Sequence, residues 1–323
     1  MRALLIVNPH ATSTTRLRRD VIVRALSSAV DLEVVETRYR GHATSLAATA
    51  RREGFGLVLT LGGDGTVNEA VNGILGDAAA CQASGAGGPA APAASADRLP
   101  ALAALPGGNA NVFTRAVGMP PDLVDAVGQV LDSLATGRHR RIGVGLAGDR
   151  YFTFNAGLGL DAEVVRAVDG YRSSGRAAST ALYVRMTLRQ FYLVTDRRHP
   201  ALTLERGGHP SDGPLFLGIV SNTSPWTYLG RRPVYTNPQA GFESGLDLFG
   251  LRSLGSVSLL RTLRQMLSDG RPPRGRTVLT LHDQGELILR SARPVAFQVD
   301  GEYMGELEQV RFRSVPDALR IIA

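Results

Sequence analysis

Leu57-Val58-Leu59-Thr60-Leu61-Gly62-Gly63-Asp64-Gly65-Thr66-Val67-Asn68-Glu69 is the stretch on which the reading of this chain turns. Residues 57–61 form an apolar run without alternation, as a strand covered on both faces requires. Three glycines follow within four residues, and helical spacing predicts a helix over 67–75. Strand, glycine turn and helix together make the repeating unit of a parallel sheet. Glycine permits backbone angles and close approaches that a Cβ forbids. The helix presents N–H groups and the positive end of its dipole, which suit a phosphate. Asp64 stands where a carboxylate can hold Mg²⁺ or polarise groups around phosphates. Thr66 stands where a hydroxyl can reach a phosphate or cap the helix. The same string also describes a tight turn with no ligand, so the rest of the chain has to decide.

Strands and helices alternate on both sides of it. Strands are predicted at 3–7, 32–36 and 101–105, and helices at 21–30 and 42–52. Strands separated by helices of this length imply βαβ units and a parallel sheet. Residues 78–98 are mostly Ala, Gly, Pro and Ser, and predict a flexible insert without a part in chemistry. A helix at 122–136 and the basic run Arg138-His139-Arg140-Arg141 mark a change of character. Strand-like segments then dominate, at 151–155, 202–205, 215–221, 278–281, 287–289 and 295–299, with helices at 177–194 and 257–267. The expected fold is an α/β nucleotide-binding domain with a parallel sheet over 1–138, completed by 310–323. An antiparallel β-sandwich acceptor domain is expected over 139–309.

Composition excludes several chemistries. All 36 basic residues are arginine. A P-loop nucleotidase needs its motif lysine and a Schiff base needs a lysine amine, so neither class fits. The single cysteine, Cys81, rules out an internal disulfide framework and a cysteine-cluster zinc site. The histidines show no metal-ligand spacing. No apolar run reaches the roughly 18 residues a membrane span needs. The opening MRALLIVNPH predicts a first strand rather than a signal peptide, and so a cytoplasmic protein. A formal net charge of +7 suits phosphates, nucleic acid or an acidic membrane. Nothing in the chain has an aromatic–basic repeat or a nucleic-acid motif, so no nucleic-acid partner is expected.

Further motifs settle the ambiguity of the glycine turn. Asn8-Pro9 follows the first strand, Thr37 ends the second, and Pro106-Gly107-Gly108-Asn109-Ala110-Asn111 follows the strand at 101–105. Asn155-Ala156-Gly157-Leu158-Gly159-Leu160-Asp161 comes later, and Val299-Asp300-Gly301-Glu302 lies near the end. In this order, over nearly the whole chain, they resemble the diacylglycerol kinase catalytic domain family, which includes bacterial lipid kinases and sphingosine and ceramide kinases. The resemblance implies a nucleotide cradle of Asn8, Pro9, Thr12, Thr37, Gly62, Gly63, Asp64, Gly65, Thr66, Glu69, Gly107, Gly108 and Asn109. It implies ATP, with Mg²⁺ near Asp64. With no lysine available, Arg16, Arg18 or Arg115 would supply positive charge. The family's proton acceptor carries over to Asp300. Glu302 is expected beside it, because residues i and i+2 of a strand share a face. Locally, Asp300-Gly301 also reads as a hairpin turn. The active site is expected in the cleft between the two domains, with Asp300 facing the phosphates.

The chain departs from the family pattern at four places. Thr12 replaces a loop glycine, Asn109 a threonine, and Val112 the aspartate of an Asn-Asp pair. Gly241 and Ser244 replace the acids of a loop that holds a structural Mg²⁺ in some bacterial members, so no structural metal is expected unless Glu243 or Asp247 substitutes. The expected acceptor is a lipid at a membrane surface, with diacylglycerol the default, and a homodimer is an option. Residues 177–194 and the patch around Trp226, Tyr228, Arg231 and Arg232 are candidate membrane elements. A kinase for NAD or another small molecule, or a silent nucleotide- or lipid-binding regulator, are the alternatives.

Overall fold

The computed structural model describes residues 1–9, 16–76, 98–172, 199–268 and 270–323. Thr12, Cys81, the insert before Arg98 and the predicted helix at 177–194 lie outside them. The chain divides into two units. The first comprises Met1–Val144, Asp149–Thr153 and Val315–Ala323; the second comprises Gly145–Gly148 and Phe154–Ser314. The change of unit falls after Val144, later than the basic run at 138–141, and the chain re-enters the first unit briefly at Asp149–Thr153.

The first unit begins with β1 (Arg2–Val7), α1 (Arg16–Ser27), β2 (Asp31–Glu36), α2 (His42–Arg52), β3 (Leu57–Gly62) and α3 (Asp64–Leu75). β4 (Ala101–Pro106), α4 (Val112–Ala116) and α5 (Leu123–Thr136) follow. Its strands run parallel in the order β2-β1-β3-β4. β3 and β4 are buried along their whole length. β2, at the edge, exposes Asp31, Glu33, Val34 and Glu36, and charge on an edge discourages further strand pairing. At the other side Ile321 lies beside Leu102, and Ile322 N donates to Leu102 O at 2.9 Å. The chain's last residues thus extend this sheet. Two helices differ from expectation. α1 starts at Arg16 rather than 21, and α3 starts at Asp64 rather than 67, so Asp64, Gly65 and Thr66 form the first helical turn instead of a loop. A glycine within a helix start leaves no apolar periodicity to read.

α2 and α3 pack closely because small residues face each other. Ala43, Ala47 and Ala50 are buried on α2. A Cβ on Gly73 of α3 would lie 2.3 Å from Thr44 O and 2.7 Å from the Ala47 Cβ.

The second unit is antiparallel. β7 (Asn155–Gly159), β10 (Leu217–Ser221), β13 (Leu246–Leu251) and β14 (Val278–Gln284) join the hairpin of β15 (Glu286–Val299) and β16 (Glu302–Ile321) in the order β14-β13-β10-β7-β15-β16. β8 (Leu202–Glu205) pairs β15 and β9 (Asp212–Leu215). β11 (Thr227–Leu229) and β12 (Arg232–Val234) form a separate hairpin. α6 (Leu160–Arg172) and α7 (Ser256–Met266) complete the described elements. The predicted strands at 287–289 and 295–299 are one strand: Arg290 pairs Gln309 and Val295 pairs Leu307, so the polar interruption between them is a bulge. β5 (Arg140–Ala147) precedes and pairs β6 (Arg150–Phe152), and the predicted strand at 151–155 is two, β6 in the first unit and β7 in the second. Among the described residues no helix is long and apolar enough to cross a membrane.

Candidate active site

In the first unit the chain leaves β1 toward β2 on one side and returns to β3 on the other, so the strand order reverses between β1 and β3. Ligands of open parallel sheets bind outside the carboxyl ends of the strands at such a point. Asn8 and the β3–α3 turn stand there. Asn8 N donates to Leu61 O at 2.9 Å, and Asn8 Nδ2 reaches Thr66 Oγ1 at 3.3 Å. Gly63 is the N-cap of α3, and no side chain caps that helix. Its positive end therefore faces the switch point, with Asp64 as the acid of its first turn.

The glycines of this region pack against each other. A Cβ on Gly107 would stand 2.7 Å from Gly62 N and 2.8 Å from Gly62 Cα; one on Gly108 would stand 2.7 Å from Gly63 Cα. A Cβ on Gly62 would stand 2.6 Å from Thr66 Oγ1. Gly107 N also donates to Gly62 O at 2.9 Å. The β3–α3 and β4–α4 turns thus meet backbone to backbone. Asn111, in the left-handed region at φ 47, locks the second turn: its Oδ1 accepts from Gly108 N at 2.8 Å and its Nδ2 donates to Gly108 O at 2.7 Å. Asp64 Oδ1 accepts from Phe113 N at 3.1 Å, tying the start of α3 to α4.

Glu69 is buried, and both its oxygens serve α2. Oε1 accepts from Gly41 N at 2.7 Å and Oε2 from Ala43 N at 3.1 Å. It caps a helix whose own N-cap, Gly41, has no side chain to do so. Behind it Asn68 Oδ1 accepts from Arg150 Nη2 at 2.7 Å, and Asn68 Nδ2 donates to Tyr151 O at 2.9 Å. Thr37 continues the β1 ladder through Thr37 N to Val7 O at 2.8 Å. Pro9, Asn109 and Arg18 are exposed, and Arg115 in the last turn of α4 is half-buried. The Arg16 side chain lies outside the description.

In the second unit Asp300 and Gly301 form the two-residue turn of the β15–β16 hairpin, with φ 46 and 74. Both values are positive, the geometry that Asp-Gly favours in such hairpins. Asp300 is nevertheless 3% exposed. Its Oδ1 accepts from Phe154 N at 3.0 Å and Asn155 N at 3.1 Å, and Asp300 N donates to Asn155 O at 2.8 Å. Gln298 braces the turn: its Oε1 accepts from Gly301 N at 2.9 Å, and its Nε2 donates to Asn155 Oδ1 and Asp161 Oδ2, both at 2.8 Å. Burial pushes the Asp161 carboxyl up to about 6, against the Gln298 hydrogen bond, which lowers it. Glu302 is not on the strand of Asp300. The turn intervenes, and Glu302 pairs with Val299 across the hairpin, so the shared-face argument for it fails.

Residues 2–147 match the diacylglycerol kinase catalytic domain. That match takes in the motifs from Asn8-Pro9 to Asn111. A diacylglycerol kinase of Staphylococcus aureus (strain bovine RF122 / ET3-1) is 24% identical over 312 residues, covering 95% of this chain and 87% of that protein. One from strain JH9 matches to the same extent. The crystal structure of a diacylglycerol kinase from Bacillus anthracis strain Sterne superposes with a TM-score of 0.69 at 18% identity, covering 99% of this chain and 96% of that one. A further structure from the same organism gives a TM-score of 0.73 at 20% identity with the same coverage. These structures share the fold of this chain: parallel strands first, antiparallel strands after.

Against that diacylglycerol kinase pattern, Val112 is apolar and 2% exposed. At the loop where Gly241 and Ser244 replace acids, the Ser244 hydroxyl donates to Gly241 O at 3.0 Å. Asp247 Oδ1 accepts from Asp283 N at 3.0 Å and lies 2.8 Å from His282 Nδ1. Desolvation raises the Asp247 carboxyl above its ordinary value, opposed by those two contacts. Among the described residues no cluster of three or more His, Cys, Asp or Glu is arranged to hold a metal unaided. Mg²⁺ commonly takes one or two carboxylates and completes its shell with substrate phosphates and water, and half-buried Asp64 beside the helix start fits that role. Asn111, Asn155, Asp161 and Gln298 are site residues that composition and spacing did not single out. Asn111 acts on Gly108 three residues earlier, whereas Asn155, Asp161 and Gln298 meet across stretches far apart in sequence.

Proposed function

We propose that the chain is an ATP-dependent lipid kinase that phosphorylates the free hydroxyl of diacylglycerol, giving phosphatidic acid and ADP. The carrying observation is the pair of glycine turns held backbone to backbone at the strand-order switch, beside the uncapped start of α3. Such a surface offers N–H groups and dipole to phosphates and leaves no room for a side chain. Asp64 would hold the Mg²⁺ that accompanies ATP, and the ion would neutralise phosphate charge. Asp300 accepts the proton of the acceptor hydroxyl as that oxygen bonds to the γ-phosphorus. The bond from the γ-phosphorus to the β–γ bridging oxygen breaks, and ADP leaves. The two backbone donors on Oδ1 and the Gln298 brace keep Asp300 from turning away. The named diacylglycerol kinases among its relatives support this acceptor. Because that acceptor resides in a bilayer, the protein meets it peripherally.

A silent regulator has one observation in its favour, the apolar Val112 where the family pattern has an acid. The test is transfer of labelled phosphate from ATP to diacylglycerol, ceramide and sphingosine in mixed micelles, with NAD as a soluble acceptor. Label in diacylglycerol above the other acceptors is expected. Label in NAD alone would replace the reading with a small-molecule kinase. ATP binding without any label would favour the regulator.

A further inference from the structure

We propose that α7 and the arginines around it form a surface that docks on an anionic lipid bilayer. α7 buries Thr262 and Met266, and Leu259 packs on the cluster containing Val234, Phe249 and Leu254. At 3.6 residues per turn, Val257 and Leu260 fall on the opposite side, and Leu263 on the flank between the two faces. They are 86%, 70% and 43% exposed, and the first two are the most exposed large apolar side chains among the described residues. Arg261 and Arg264 share that side, both exposed, and α7 contains no acid.

The surroundings extend the same chemistry. The tip of the β11–β12 hairpin carries exposed Leu229 and Arg231. It is fixed beside the end of α7 by Arg232 Nη2 to Leu267 O at 3.0 Å and Tyr235 N to Met266 O at 2.7 Å. Beyond α7 the chain folds back, with Arg274 N on Gln265 Oε1 at 2.8 Å, which brings the exposed Arg271 and Arg274 near the helix end. From 252 to 276 the sequence holds six arginines and one acid, Asp269. An apolar ridge interleaved with and flanked by cations matches a headgroup boundary, where aliphatic side chains enter the acyl edge and guanidinium groups meet phosphates. Protein interfaces instead concentrate aromatic anchors at their centre, and this ridge has none. The surface is an independent observation from the phosphate turn. If the kinase reading holds, it says where the enzyme meets its acceptor.

The test is cosedimentation of the full chain with vesicles of phosphatidylcholine alone and of phosphatidylcholine mixed equally with phosphatidylglycerol. Binding to the mixed vesicles only, weakened by salt, is expected. Val257→Ser with Leu260→Ser should lower that partition about tenfold. Arg261→Gln with Arg264→Gln should lower it about tenfold and flatten its salt dependence. Val124→Ser, at an exposed apolar residue in the other unit, should change nothing. Undiminished binding by the helix variants overturns the proposal, as does wild type that ignores vesicle charge or stays in solution. The last result would point to a protein partner instead. Transfer to a short-chain diacylglycerol dissolved as monomers separates the two readings: it should survive Val257→Ser with Leu260→Ser. No transfer by wild type that still binds vesicles would sink the kinase reading and leave the docking surface standing.

Discussion

At residues 62–63 and 107–108 two glycine turns touch through backbone atoms, whereas at Asp300 an equally tight turn is held by hydrogen bonds of the Asp300, Gln298, Asn155 and Asp161 side chains, from three stretches of chain. The first construction tolerates no added atom, because the contact is made where a Cβ would be. The second does not tolerate the loss of a polar partner, because its hydrogen bonds satisfy the buried Asp300, Asn155 and Gln298. One site is therefore sensitive to size and the other to chemistry. The phosphate turn should fail by losing nucleotide, and the Asp300 turn by losing the base while nucleotide still binds.

Gly107→Ala breaks the first construction most directly. With backbone atoms of Gly62 at 2.7 to 2.8 Å from the new methyl, it should cost about 3 kcal/mol and remove most ATP binding, read by denaturant unfolding and calorimetry. Gln298→Ala attacks the second. It strips partners from Gly301 N, Asn155 and Asp161, should destabilise by about 2 kcal/mol, and should lower turnover with ATP affinity kept. Equal loss of ATP binding in both variants would erase the distinction. Glu69→Gln should cost about 1 kcal/mol, since a neutral amide caps the start of α2 less well than a carboxylate.

Asp161→Asn should have the opposite sign. The Asp161 carboxyl titrates near 6 in the folded chain against 3.8 as its ordinary value, so ionising it opposes folding. That opposition is absent below 3.8, grows as pH rises, and is complete above about 6. The asparagine variant should therefore be more stable than wild type by about 1 to 3 kcal/mol at neutral pH, with the gain vanishing in acid. Melting curves across that range check it; a gain that persists in acid would mean the cause is not ionisation.

The sequence was most legible where local chemistry sufficed. Residues 57–69 revealed a buried strand, a glycine turn and a helix, and Asp300-Gly301 read as a hairpin turn from two letters. It was least legible where partners are distant. Gly107 and Gly108 looked like a second phosphate loop, and only the fold shows that a Cβ at either would strike the first loop. The family resemblance implies Glu69 in the nucleotide cradle, while in the fold its oxygens cap α2, about one helix earlier in the chain. Glu302 was placed beside Asp300 by strand alternation, which fails once Asp300 sits in a turn. Gln298 was unremarkable among apolar neighbours, because its three contacts come from Gly301, Asn155 and Asp161.

The central claim is that Asp300 takes the proton in phosphoryl transfer, and Asp300→Asn tests it most directly. Asparagine retains an oxygen for Phe154 N and Asn155 N and tolerates the left-handed turn, so the fold and ATP binding should survive. Single-turnover transfer of labelled phosphate to diacylglycerol should fall by about 10² to 10⁴, the range for removing a general base. Transfer at the wild-type rate from the folded variant would contradict it and return Asp300 to the role of a hairpin turn alone.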